Sequence, residues 1–425
     1  MQSITYALYD IATTFMAPCG ALWLCVHPRY RCLLGRFAPE VPPLDRPPVW
    51  VQACSFGEVQ AVMPLIESLH KRHAELPVLL SASTVTGRAA ARSGKHNALS
   101  TWFPFDHRWV VERFVRRARP KLLVLMETEL WPNVLRVARR HGVPVALANG
   151  RLSERHFVRY ARWHRLFRGV FDCLTVAGVQ DEVQAERFMR LGVSAERVHA
   201  TGNIKFEGVR TAVPVEEQAA LRREAGFGEH TPVLIFGSTR SGEEAIAARC
   251  WSVLRNEFPD LRLVVAPRHP ERIHDVLREF TEPVLRRSEV RSGRAPKGER
   301  VLIVDTMGEL VSFYSIATVA VVGGSFQRRV NGHNPLEPAG LGVPTVFGPH
   351  MRDFVDPARV LVECGGAKQL PVGELLPTLR ELLGDPDARA AMSTRARDAI
   401  ARNQGATERT VDLLEPLLSV NPWTG

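Results

Sequence analysis

The chain has 425 residues, 45% hydrophobic and 24% charged, which excludes a disordered chain, a collagen-like repeat and a polytopic membrane protein. Lys+Arg 55 against Asp+Glu 45 gives a formal charge of +10 and favours an anionic partner: nucleic acid, a phospholipid surface or a phosphorylated substrate. Its 7 cysteines are scattered and form no Cys-x-x-Cys pair, which argues against a disulfide framework or a zinc site and for a reducing compartment.

From Ile11 to Val26 no residue is charged, and Arg29, Arg31 and Arg36 follow. The run falls short of the roughly 20 residues a spanning helix needs. A signal peptide puts its positive charge before the apolar region, not after it. Trp23 and Tyr30 beside arginines suit a membrane interface. Residues 1–45 are therefore expected to be an interfacial anchor, ahead of a single span or a helix packed on the first domain.

Beyond residue 45, short apolar runs alternate with amphipathic stretches. Val49–Cys54, Val78–Ser83, Leu122–Glu127, Val145–Asn149 and Cys173–Gly178 read as strands, with helical patterns between most of them. After the penultimate strand of this series, Arg151, Arg155, Arg159, Arg162, Arg165 and Arg168 recur at spacings that place six guanidiniums on one face of a predicted helix. That face is either solvated or set against anionic lipid. A second series follows: Val233–Ser238, Leu261–Pro267, Val301–Asp305, Val319–Gly324 and Pro344–Gly348. Residues 286–300 read as a solvated loop. The pattern predicts an α/β protein of two doubly wound, Rossmann-like domains, 46–210 and 211–425, facing each other across a cleft. Ligands in such sheets bind at the carboxyl ends of the strands.

Four loops after strands carry polar or glycine residues. Ser55-Phe56-Gly57-Glu58 offers a carboxylate at a helix start, either a general base or a complement to the helix dipole. Glu127 and Glu129 follow a buried strand, where extended geometry would put both on one face. Residues 237–244 suit an anion at a helix N-terminus, and Arg268 can pair with a phosphate. Gly323-Gly324-Ser325-Phe326 leads to Asn334-Pro335-Leu336-Glu337, where Asn334 and Glu337 have the spacing of a capping box. There is no Asp-x-Asp motif suited to a sugar-nucleotide metal and no zinc spacing, so no metal is expected.

The motifs CSFGE, METELWPN, NGRLSER, TGNIKFE, PRHPER, TMGEL, GGSF and GHNPLEPAGLGVP occur in order across about residues 50–350. Together they resemble the 3-deoxy-D-manno-octulosonic acid (Kdo) transferases of Gram-negative bacteria. The resemblance implies a GT-B fold with no cofactor, and an inverting transfer of Kdo from CMP-Kdo to the lipid A precursor lipid IVA. It implies work on the cytoplasmic face of the bacterial inner membrane, against an anionic surface, with no nucleic acid involved. It implies Glu58 as the proton acceptor and Glu127 and Lys205 as transition-state stabilisers. Pro267, Arg268, Met307, Gly308, Glu309, Asn334, Pro335, Leu336 and Glu337 would hold CMP. The chain departs from the family pattern at Phe56, where a smaller Val is common, and at Asn331, where a glycine is usual.

Overall fold

The structure is a computed structural model that describes residues 2–93 and 97–423, without the side chains at 2–5, 8, 28, 29, 164–166 and 168. The chain forms two compact units, Met1–Glu207 with Asn403–Gly425, and Gly208–Arg402.

The first unit holds seven strands: β1 Val49–Gln52, β2 Val78–Ala82, β3 Leu99–Trp102, β4 Leu122–Met126, β5 Val145–Gly150, β6 Val176–Val179 and β7 Val198–Ala200. They pair in the order β3-β2-β1-β4-β5-β6-β7, all parallel. The central runs are apolar throughout because helices cover both faces. Along β1 the pleat sends Val49 and Val51 to one core and Trp50 to the other. Trp50 donates its Nε1 hydrogen to Ser81 Oγ at 2.7 Å, so its polar edge is satisfied inside the core.

The second unit repeats the plan with β8 Val233–Thr239, β9 Arg262–Pro267, β10 Val284–Arg286, β11 Val301–Ile303, β12 Val319–Val322, β13 Thr345–Phe347 and β14 Ala367–Gln369. Their order is β10-β11-β9-β8-β12-β13-β14, again parallel. Each unit is a doubly wound α/β sheet, the class expected. In both sheets the direction of winding reverses beside the first strand, β1 or β8, and the loops that follow diverge there.

Four expectations need correction. The second domain does not run to residue 425. The Ala406–Leu418 helix returns to the first unit, where Val411, Leu414 and Leu418 join the core around β1 and β2. Arg72 fastens it through Glu408 and Asp412. The arginine stripe is not one helix: Arg151 precedes it, the first helix is Glu154–Arg162, and a second, His164–Phe171, begins after a break at Trp163. Arg155, Arg159 and Arg162 are exposed, while the side chains of Arg165 and Arg168 lie outside the described residues. Residues 286–300 are not simply a solvated loop, because Arg287 is buried and paired with Glu224 and Glu309. Finally, β4 ends at Met126 and Glu127 adopts φ +55°, so Glu127 and Glu129 do not share an extended face.

The N-terminal helix spans Gln2–Val26, starting well before the uncharged run. Its first half is docked on the first unit. The Tyr9 hydroxyl donates to Asp106 at 2.7 Å, Asp10 pairs with Arg136 at 3.1 Å, and Thr14 meets His107 at 3.1 Å. Its second half leaves Phe15, Met16, Leu22, Trp23 and Val26 exposed. By length and composition Tyr9–Val26 is apolar enough to cross a membrane.

Candidate functional site

In the first unit the site forms at the carboxyl ends of β1, β4 and β5. Ser55 caps the Phe56–Arg72 helix. Glu58, three residues on, completes a capping box: its carboxylate accepts from the Cys54 amide at 2.9 Å and from Ser55 Oγ at 3.0 Å. The two readings of Glu58 are thus compatible. The capping box locks its rotamer, and the surroundings set its charge. Burial, then the like charge of Glu127, raise its pKa to about 7, against the lowering effect of the Cys54 amide. A carboxylate tuned this way can take a proton near neutral pH.

Glu127 lies in a left-handed conformation just past β4, at a cost of about 1–3 kcal/mol for a side chain of this kind. The turn aims its carboxylate at Lys205, 2.6 Å away. Lys205 sits on the short 3-10 turn Ile204–Phe206. That turn is held by Asn203, which accepts from the Lys205 amide at 3.0 Å, and by Asn149, which accepts from the Ile204 amide at 3.1 Å. Asn149 is itself at φ +56° at the end of β5. Two strained residues at adjacent strand ends thus fix one ion pair. Glu129 accepts from Trp131 Nε1 at 2.9 Å. The structure brings Glu58, Glu127 and Lys205 into one electrostatic group, residues that are far apart in sequence.

In the second unit three loops, after β8, β9 and β12, adjoin one another. Arg240, in the first, donates from Nε to His333 Nε2 at 3.2 Å and bonds His269 through Nη1. His333 accepts there, which requires a neutral ring. Burial, then Arg240, Arg268 and His269, lower its pKa to about 4. Arg268, just past Pro267 at the end of β9, is exposed, and its amide bonds Thr239 O at 3.0 Å. The expected amide cradle at residues 237–244 is occupied from within. The buried Glu243 carboxylate accepts from the amides of Arg240, Gly324 and Phe326 at 2.9, 2.6 and 3.0 Å. The anion-binding potential therefore rests on guanidinium groups rather than on free amides. Sequence reasoning passed over Arg240, His269 and His333 as a unit, although all three stand in motifs it had singled out.

Asn334 accepts from the Leu336 amide at 3.1 Å, and the short helix it leads starts at Leu336 with Pro335 before it. Glu337 is largely buried. Desolvation raises its pKa, opposed by a hydrogen bond with Asn334 and by the charge of Arg268. Gly308 has φ +84° and Met307 is exposed. The Glu309 carboxylate is already engaged: it accepts from Arg287 at 3.0 and 2.9 Å, from Arg291 at 2.9 Å and from Thr306. What residues 307–309 present to a ligand is therefore backbone and the Met307 side chain.

Comparison with known proteins adds an independent line. A family model described as 3-deoxy-D-manno-octulosonic-acid transferase matches residues 29–208. The 3-deoxy-D-manno-octulosonic acid transferase of Bordetella pertussis is 34% identical over 97% of this chain and 99% of its own length. That of Haemophilus influenzae is 30% identical over 96% of this chain and 98% of its own. The crystal structure of UDP-GlcNAc 2-epimerase from Neisseria meningitidis superposes with a TM-score of 0.53 at 13% identity, covering 87% of this chain and 99% of that one, a likeness of fold alone.

Proposed function

The chain belongs to the 3-deoxy-D-manno-octulosonic acid transferase family, and from that premise we propose an inverting, metal-independent transfer of Kdo from CMP-Kdo to lipid IVA. The coarser activity, a Kdo glycosyltransferase of lipopolysaccharide biosynthesis, follows from the family itself. In the finer reading Glu58 is the base. The acceptor hydroxyl gives its proton to the Glu58 carboxylate as its oxygen attacks the anomeric carbon. The bond from that carbon to the phosphate oxygen breaks, and CMP leaves with the electron pair. A hydroxyl is a poor nucleophile without such a base, and a single displacement inverts the centre. Glu127 counters the positive charge that grows on the sugar carbon, and Lys205 the negative charge on the leaving phosphate. Pro267, Arg268, residues 307–309 and residues 334–337 hold CMP, with Arg268 on its phosphate.

The observation that carries this reading is the capped Glu58 carboxylate beside the Glu127–Lys205 pair, where burial and Glu127 push its pKa up to about 7. Incubation with CMP-Kdo and lipid IVA, followed by mass analysis of the lipid, tests it. The wild type should add Kdo and Glu58→Gln should not; equal product from both would remove Glu58 as the base.

We further propose work at the cytoplasmic face of the inner membrane. The exposed apolar half of the Gln2–Val26 helix supports an interfacial anchor, and Arg155, Arg159 and Arg162 beside the exposed Val158 and Trp163 support contact with anionic lipid.

A further inference from the structure

The Arg108–Ala118 helix of the first unit takes no part in the chemistry above. Its inner face, Val111, Phe114, Val115 and Ala118, is buried in the core. Its outer face carries Arg108, Trp109, Arg113, Arg116 and Arg117, all exposed, Trp109 at 79%. The acid among them, Glu112, is saturated: it accepts from Arg116 at 2.7 Å, lies 2.8 Å from His141 and 3.4 Å from Arg140. Among the described residues the ion pairs include none for Arg108, Arg113 or Arg117. Like charges at helical spacing repel. A face that gathers them around an exposed tryptophan is badly suited to water alone.

Two cavities flank Arg113 and Arg117. One, of 370 Å³, is walled by Phe37, Pro39 and Phe114 and reached by Arg88. The other, of 730 Å³, is bordered by Trp109, Arg108, Arg116 and Arg140. The segment just before this helix is also where the N-terminal helix docks, through Tyr9 to Asp106 and Thr14 to His107. The basic helix therefore begins beside the helix whose Phe15, Met16 and Trp23 are exposed.

We propose that the outer face of the Arg108–Ala118 helix is a docking surface for the anionic head groups of bilayer phospholipid. Trp109 lies at the boundary between head groups and acyl chains, where an aromatic ring with a polar edge is favoured. Arg113 and Arg117 pair with lipid phosphates in the flanking cavities. The face is continuous with the anchor helix and carries the charge opposite to the lipid, so the two act on one membrane surface. This rests on the membrane reading above and assigns that reading a second contact.

The test is sedimentation of the full-length protein with vesicles of phosphatidylglycerol in phosphatidylcholine, or of phosphatidylcholine alone. The wild type should bind the anionic vesicles better, and less so at high salt. Arg113→Gln with Arg117→Gln should weaken that binding by roughly thirty-fold, on the order expected for two surface arginines. Arg113→Lys with Arg117→Lys should retain most of it, and Trp109→Ala should weaken binding to both vesicle types. Transfer to detergent-solubilised acceptor should stay within about two-fold, because these residues lie outside the proposed chemistry. Unchanged anionic-vesicle binding by the glutamine variant overturns the inference while leaving the anchor reading standing. A raised KM for the solubilised acceptor with normal vesicle binding overturns it too, by giving the arginines to the acceptor's phosphate. A wild type that binds no vesicle overturns both readings together.

Discussion

The carboxylate group of the first unit and the arginine-histidine group of the second are built on the same sheet plan, yet burial drives them in opposite directions. Burial favours the neutral form of any titratable side chain. In the first unit it raises Glu58 to about 7, with Glu127 adding to the effect. In the second it lowers His333 to about 4, with Arg240 and Arg268 adding to it. One region thus holds a group that can exchange a proton near neutral pH. The other keeps its imidazole neutral and its guanidiniums charged, a fixed positive field. The difference teaches that the same burial keeps a carboxylate titratable near neutral pH in one unit and an imidazole uncharged in the other, according to what surrounds each group.

The sharpest way to break this contrast is Glu58→Gln. It should lower turnover by about 10²–10⁴-fold, the range for a lost general base. The folded wild type keeps the Glu58 proton between about 4.5 and 7, where the unfolded chain has released it, so stability falls as pH rises through that window. The variant should lose that slope and gain roughly 1–3 kcal/mol above pH 7. Denaturant midpoints at several pH values check it, and wild-type turnover should rise through pH 7. A variant less stable at pH 8 would refute the burial argument.

Next in size are Glu127→Gln and Lys205→Met, each expected to cost about 10²–10³-fold in turnover. Because the two groups act as a pair, the double variant should lose little more than either single one. Independent, multiplying losses in a double-mutant cycle would show that the 2.6 Å contact is not the functional unit.

Arg240→Gln probes the other side of the comparison. Removing one charged donor should weaken CMP binding by about 10–100-fold, measured by calorimetry, with little effect on acceptor KM. His333→Asn tests the opposite sign of titration. The folded chain refuses the His333 proton between about 6.5 and 4, where the unfolded chain takes it, so wild-type stability falls as pH drops through that window. The variant's stability should depend less on acid there. An unchanged acid limb would take His333 out of the positive field.

The smallest effect belongs to Tyr9→Phe. Buried Asp106 accepts from Tyr9 and caps the Pro132–Arg140 helix through the amides of Asn133 and Val134 at 3.2 and 2.9 Å. Losing the Tyr9 hydroxyl should loosen the N-terminal helix by about 1 kcal/mol, seen as faster proteolysis after residue 26, with core stability unchanged.

By itself the sequence determined the central strands, their arrangement in two successive series and every motif that carries proposed chemistry. Those features are local. A strand covered on both faces must be apolar throughout, and a loop residue at its end is visible as a break in that run. The strands that escaped notice are β3, β7, β10 and β14, the four edges of the two sheets. Edge strands are short and partly exposed here, so they carry no continuous apolar signal.

Tertiary structure alone decided the rest. It returned the Ala406–Leu418 helix to the first core, since an amphipathic stripe does not say which sheet it will cover. It split the arginine stripe at Trp163 and claimed the Glu309 carboxylate for Arg287 and Arg291. It put Glu127 into a left-handed turn facing Lys205 and left Glu58 poised near neutrality. Ion pairs between distant residues and the desolvation of a carboxylate depend on what the folded chain brings together, and no local pattern encodes them.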